Sequence, residues 1–156
     1  MNIKRIFLTA AALSFAVSAQ AAEQLKPEDA IKYRQAGYKF ISWNMGKIKD
    51  NLESGSYNKA GAIAAANAIA AIANSGMGAL YIPGSEQSAG SVKTYVKPEF
   101  FTRQQDVARL AQAFNKEANE MVRVVASTED VAALKTQFGK LGGTCKACHD
   151  DFKARN

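Results

Sequence analysis

One run near the C-terminus constrains everything before it: Cys145-Lys146-Ala147-Cys148-His149 holds both cysteines and the only histidine of the 156 residues. Two thiols three residues apart project from the same side of a helix, and the imidazole of the next residue lies beside them. This is the spacing of covalent c-type haem attachment, in which the thiols add to the two vinyl groups of one porphyrin and the histidine reaches its iron. Two other uses fit less well. A thioredoxin-like C-x-x-C opens a helix in a βαβ context, whereas this one closes a long helical segment. A closed structural zinc site needs four Cys or His ligands, and the sequence has three such residues.

The other end points to export. Lys4 and Arg5 are basic, residues 6–17 are apolar but too few to span a bilayer comfortably, and Ala19-Gln20-Ala21 follows them. Together they read as a secretory signal peptide, residues 1–21, with residues 22–156 left as one domain. Covalent c-type haem is added outside the bacterial cytoplasm, so the periplasm is the expected compartment, and no membrane insertion is expected after cleavage. The formal net charge is +6, but the lysines are spread among acids with no basic run. That pattern excludes a nucleic-acid surface and reads as a solvated mixed-charge exterior.

Helical periodicity fills the rest. A first helix starts at Pro27, a residue suited to the first helical position, with Glu28 and Asp29 in the first turn. Its core stripe is Ile31, Arg34, Tyr38, Ile41, Met45, Ile48 and Leu52. A second spans residues 57–74, with Ile63, Ile69 and Ile72 among many alanines, and stops at Ser75-Gly76. Residues 76–97, rich in glycine and serine and containing Pro83-Gly84, read as a long crossover. A third helix starts at Pro98-Glu99 and carries Phe100, Val107, Phe114 and Met121 seven apart, with Leu110 and Val124 between them. A fourth opens at a capping signature, Ser127-Thr128-Glu129-Asp130, and presents Val131, Leu134, Phe138, Leu141, Cys145, Cys148 and Phe152. Both cysteines fall on that core stripe, so a haem held there is inserted into the interior. The expected fold is all-α, an antiparallel up-down-up-down four-helix bundle with one long connection between the second and third helices.

Residues 26–35, Lys-Pro-Glu-Asp-Ala-Ile-Lys-Tyr-Arg-Gln, together with Cys145 to His149 near the C-terminus of an exported four-helix bundle, resemble the cytochromes c′, the class II c-type cytochromes. The resemblance covers essentially all of residues 22–156. The C-terminal motif separates it from class I cytochromes c, whose haem motif lies near the N-terminus. The resemblance implies one covalent haem c per chain, thioether bonds at Cys145 and Cys148, His149 as axial iron ligand, and an iron whose sixth position is usually empty. The family residue over that open face lies four after the arginine of the Tyr-Arg-Gln run, which here is Tyr38. The family's basic residue four after the histidine is matched by Lys153, where arginine is also usual. Members commonly form homodimers through the first two helices, and six-coordinate relatives use a methionine of the first helix.

The single residues carry further expectations. Arg34 lies on an apolar stripe, where a buried guanidinium is costly without an anion. A haem propionate is its expected partner, with bidentate geometry available; snorkelling from the edge of the stripe is the alternative. Tyr38 reads as a steric plug over the iron, ahead of plain core or ligation, because an unperturbed phenol is protonated at neutral pH, although Arg34 one turn away would lower its pKa. Met45 lies about 10 Å further along the helix, so Tyr38 and Met45 cannot both lie over the iron, and packing is expected for Met45. Lys153, one turn beyond His149 on the same side of the fourth helix, either tunes that ligand or is a solvated cation favourable at a helix C-terminus. Gly142 and Gly143, each costing about 1 kcal/mol in a helix, leave clearance for the porphyrin edge. Tyr33, Phe40 and Trp43 occupy a flank of the first helix away from the stripe, which suggests a partner surface or a wide face buried under the crossover.

The functional expectation is a periplasmic haem protein with pentacoordinate iron that binds small diatomic gases, nitric oxide and carbon monoxide, and is capable of electron transfer with an unidentified redox partner. The alternative is a six-coordinate Met/His electron carrier of the same fold. No distal histidine is available as an acid–base group, since His149 is the only one, so catalysis is not expected.

Overall fold

The computed structural model describes residues 24–155; the expected leader, residues 1–21, lies outside the described residues. Helix α1 (Pro27–Glu53) begins as the sequence predicts, with proline at its start and Glu28 and Asp29 in the first turn. Helix α2 (Lys59–Ala73) starts slightly later than its periodicity suggests, because Asn58 is the N-cap and its Oδ1 accepts from the Gly61 N–H at 2.9 Å. Asn51 fixes that cap to the end of α1, exchanging two 2.7 Å hydrogen bonds with the Asn58 backbone.

The third predicted helix is two pieces. Helix α3 (Glu99–Thr102) is a single turn, and α4 (Gln104–Ser127) follows a break at Arg103, whose φ of −99° and ψ of 54° leave the helical region. The guanidinium of Arg103 lies 5.0 Å over the Phe152 ring and pairs with Asp106 at 2.7 Å and Asp151 at 3.5 Å. The break therefore takes Phe100 out of the α4 stripe and turns it toward the C-terminal end of α5 (Val131–Phe152). The capping signature also shifts. Helix α4 continues through Ser127, whose hydroxyl donates to the Val124 carbonyl, and the cap of α5 is Asp130, accepting from the Ala132 N–H at 3.0 Å.

The four long helices form the expected antiparallel bundle, α1 against α2, α2 against α4 and α4 against α5, whereas α1 and α5 meet over a much smaller area. The main core joins Ile41, Ile48 and Leu52 of α1 to Ala62, Ala65, Ala66 and Ile69 of α2, with Met121 and Val125 of α4 and Leu134 and Leu141 of α5. The alanines let α2 approach closely. Buried Gln137 is satisfied across the bundle, its Nε2 donating to the Glu117 carbonyl at 3.1 Å and to Glu117 Oε2 at 2.8 Å. A second cluster, Phe100, Leu110 and Phe152 with Tyr81, Val96, Phe101, Val107 and Cys148, lies at the end that carries the cysteines.

The crossover holds a 3₁₀ turn (Met77–Leu80) and two isolated bridges, Ala89 with Val92 and Val96 with Lys153, and the described residues contain no β-strand. Among them no helix is long and apolar enough to cross a membrane.

Candidate haem site

Three side chains of α5 make one half of the site. Cys145 and Cys148 are half-buried and unpaired; the Cys145 thiol donates to the Leu141 carbonyl at 3.7 Å, and Cys148 packs on the Phe100, Leu110 and Phe152 cluster. Burial pushes both thiols above their ordinary pKa, so they are protonated at neutral pH. His149 is pushed the other way, first by burial and then by the Lys153 charge, which keeps its imidazole neutral, the form that ligates a metal. Its ring reaches a cleft of about 920 Å³ lined also by Lys97, Lys146, Asp150, Lys153 and Arg155.

Lys153 follows His149 by one turn, as expected, but at the very end of the helix. Helix α5 ends at Phe152, and Lys153 is its C-cap in extended conformation (φ −110°, ψ 125°), its N–H still bonded to the His149 carbonyl at 3.1 Å. The cause is the returning crossover. The Lys97 N–H donates to the Phe152 carbonyl at 2.9 Å and the Ala154 N–H to the Tyr95 carbonyl at 2.8 Å, which pulls the chain into a bridge. Lys97 Nζ then donates to the carbonyls of Asp150 and Asp151 at 3.2 and 3.0 Å, satisfying oxygens that the helix end leaves open.

The other half comes from α1. Arg34 is only 2 % exposed, as the stripe requires, but its acceptors are neutral. Nη1 donates to the Leu80 carbonyl at 3.2 Å and to Ser85 Oγ at 2.8 Å, and Nη2 to the Ser85 carbonyl at 2.6 Å and Thr94 Oγ1 at 3.0 Å. The Tyr81 ring adds its π face 4.5 Å away. The role expected of a propionate, satisfying a buried cation, is filled here by the crossover. Burial lowers the Arg34 pKa, but a guanidinium stays charged.

Tyr38 departs from the buried stripe: 46 % of it is exposed. Its hydroxyl accepts from Tyr81 at 3.2 Å. Although the ring is half-exposed, burial of its phenol end raises its pKa more than the Tyr81 hydrogen bond and the Arg34 charge lower it. The expected lowering by Arg34 is thus outweighed, and the phenol is neutral. Met45 is half-buried against the main core instead.

These residues fit a haem. A neutral imidazole stands beside two protonated thiols, the Phe100, Phe152 and Tyr81 rings offer an apolar wall, and a Cβ added at Gly142 or Gly143 would meet nothing within 4 Å. Among the described residues no group of three or more His, Cys, Asp or Glu side chains could hold a metal ion, so a closed zinc site lacks its ligand set. Away from the site, Tyr33, Phe40 and Trp43 stand 60 %, 48 % and 57 % exposed on α1, with the Phe40 and Trp43 rings 5.4 Å apart, which removes burial under the crossover as their explanation.

Sequence reasoning missed Tyr81, Ser85, Thr94 and Lys97, all in the crossover. No periodicity marks them, and the one available signal was the buried guanidinium of Arg34, which requires oxygen acceptors from somewhere.

The family model described as Cytochrome C′ matches residues 29–153. The chain is 56 % identical over 144 residues to the cytochrome c′ of Allochromatium vinosum, covering 92 % of each. It superposes with a TM-score of 0.81 on a solved cytochrome c′ with ligand-controlled dimer dissociation, at 55 % identity, covering 84 % of this chain and 98 % of that one. A ferrous variant of cytochrome c′ from Alcaligenes xylosoxidans with bound nitric oxide matches with a TM-score of 0.73 at 26 % identity, over 86 % of this chain and 100 % of that one.

Proposed function

The chain belongs to the cytochrome c′ family, and from that premise we propose that it is an exported, periplasmic protein, residues 22–156, whose one covalent haem c binds nitric oxide and carbon monoxide. Cys145 and Cys148 would hold the haem through thioether bonds and His149 would bind its iron. The haem, when bound, supplies an iron that takes diatomic gases and changes oxidation state. The protein supplies the asymmetry. His149 approaches from α5, while the opposite side is left to Tyr38, a half-exposed neutral phenol that obstructs without ligating.

The observation that carries this reading is that the Tyr38 hydroxyl meets Tyr81, which packs in the same cluster as Cys148, whereas Met45 packs against the main core. The Met/His alternative needs Met45 at that place, and its packing speaks against it. Beside the Tyr38 hydroxyl stands the Tyr81 phenol, held protonated by burial, with the Arg34 guanidinium over its ring, and neither is a base, so we read a binding and electron-transfer protein rather than an enzyme. Arg34 is assigned to holding the crossover, with a propionate left to its remaining Nε–H, and Lys153 to lowering the pKa of His149. The relatives with ligand-linked dimer dissociation and bound nitric oxide support gas binding and a homodimer, for which the Tyr33, Phe40 and Trp43 face is the candidate.

Mass spectrometry of protein exported to a periplasm tests the attachment. The expected product is the chain from Ala22 plus one haem, resistant to acid-acetone extraction; an extractable haem, or a retained leader, refutes the assignment.

A further inference from the structure

We infer that Tyr81 is a latch on Tyr38, a positioning residue of the crossover whose hydrogen bond must break before gases enter, so that it sets their rate of binding. This rests on Tyr38 being the plug. The two hydroxyls, 43 residues apart in sequence, meet at 3.2 Å with Tyr81 donating.

Of the pair, Tyr81 cannot move. Its ring stacks on Phe100 with centroids 4.0 Å apart and planes 23° apart, and the Arg34 guanidinium lies 4.5 Å from the same centroid. The Tyr81 ring is thus held by both groups, and Arg34 is itself held by four hydrogen bonds. Phe101 closes an edge at 6.1 Å. Tyr38 has none of this: it is 46 % exposed, makes no ring contact among the described residues, and its one hydrogen bond is to Tyr81.

Gly37, next to Tyr38, leaves room for a side chain of the 3₁₀ turn: a Cβ there would lie 2.9 Å from Met77 Cε and 3.0 Å from Met77 Sδ. Tyr81 directly follows that turn. A neutral hydrogen bond of ordinary strength, broken before the ring can swing, slows entry roughly three- to tenfold.

Stopped-flow binding of carbon monoxide to the ferrous holo-protein tests this with Tyr81→Phe, Tyr38→Phe and the double variant. Each single change deletes the same hydrogen bond, so each raises the association rate about three- to tenfold and the double variant goes no faster than either. Thermal unfolding of the gas-free protein is an independent readout: the two single variants lower the melting temperature by the same few degrees, roughly 2–6 °C, and the double variant lowers it no further. If the rate gains multiply in the double variant, Tyr81 acts through crossover packing rather than through Tyr38, and the latch is refuted. Tyr38→Ala separates the two levels. A faster Tyr38→Ala beside an unchanged Tyr81→Phe overturns the latch and leaves the plug, whereas no change in any variant overturns both.

Discussion

Replacing Arg34 by methionine, which keeps most of the volume, deletes the fastening between α1 and the crossover. Four acceptor sites lose their donor. The two hydroxyls suffer least, since Ser85 Oγ still donates to the Ile82 carbonyl at 2.7 Å and Thr94 Oγ1 still accepts from the Val96 N–H at 3.4 Å. The loss falls on the carbonyls of Leu80 and Ser85, left without this donor, at about 1–3 kcal/mol each. Relief of a desolvated guanidinium offsets part of it, so the net destabilisation should be about 3 kcal/mol, a large share of the roughly 5–15 kcal/mol of a typical domain. Denaturant unfolding of the holo-protein measures this, and amide exchange should show residues 78–97 opening well before the helices. Arg34→Lys should not rescue, because one ammonium cannot reproduce the two-armed fork. A loss below about 1 kcal/mol, with crossover exchange unchanged but the haem spectrum altered, would show that Arg34 serves the porphyrin and not the loop.

Two further outcomes follow from the exposed chemistry. Trp43→Glu places a charge in the Tyr33, Phe40 and Trp43 patch, and if that face joins two copies the variant should sediment as a monomer at micromolar concentration while its own stability stays within about 0.5 kcal/mol; an unchanged dimer would place the interface elsewhere. The hydrogen bond and charge of Arg103 hold the Asp106 carboxyl below the usual carboxylate range. A depressed folded-state pKa gives stability that is present above the unfolded value and lost as pH falls through the folded one. Wild type should therefore lose stability relative to Asp106→Asn only below about pH 4, and a gap that persists unchanged to pH 2 would refute the pairing.

The bundle was legible because its four long helices carry apolar periods, and one of them a clear start, at Pro27. Its departures have local causes that periodicity does not register. Arg103 breaks a helix to sit over Phe152, and Asp130 caps where Ser127 was expected, because α4 continues through Ser127. In the candidate site, the place of Cys145, Cys148 and His149 on the last helix was readable from residue identity and spacing. The α1 half was readable only as positions: the stripe located Arg34 and Tyr38 but could not supply their partners, which come from a crossover of irregular backbone that approaches beside Gly37. Tyr38 also shows the limit of a stripe, since its place on the apolar face did not bury it.

On the proposed function, Tyr38 and not Met45 would face the iron on the side away from His149. The absorption spectrum of the ferrous, gas-free holo-protein tests it most directly. A high-spin spectrum that Met45→Ala leaves unchanged is the predicted result; a low-spin spectrum that becomes high-spin only on replacing Met45 would contradict the account and establish the six-coordinate electron carrier.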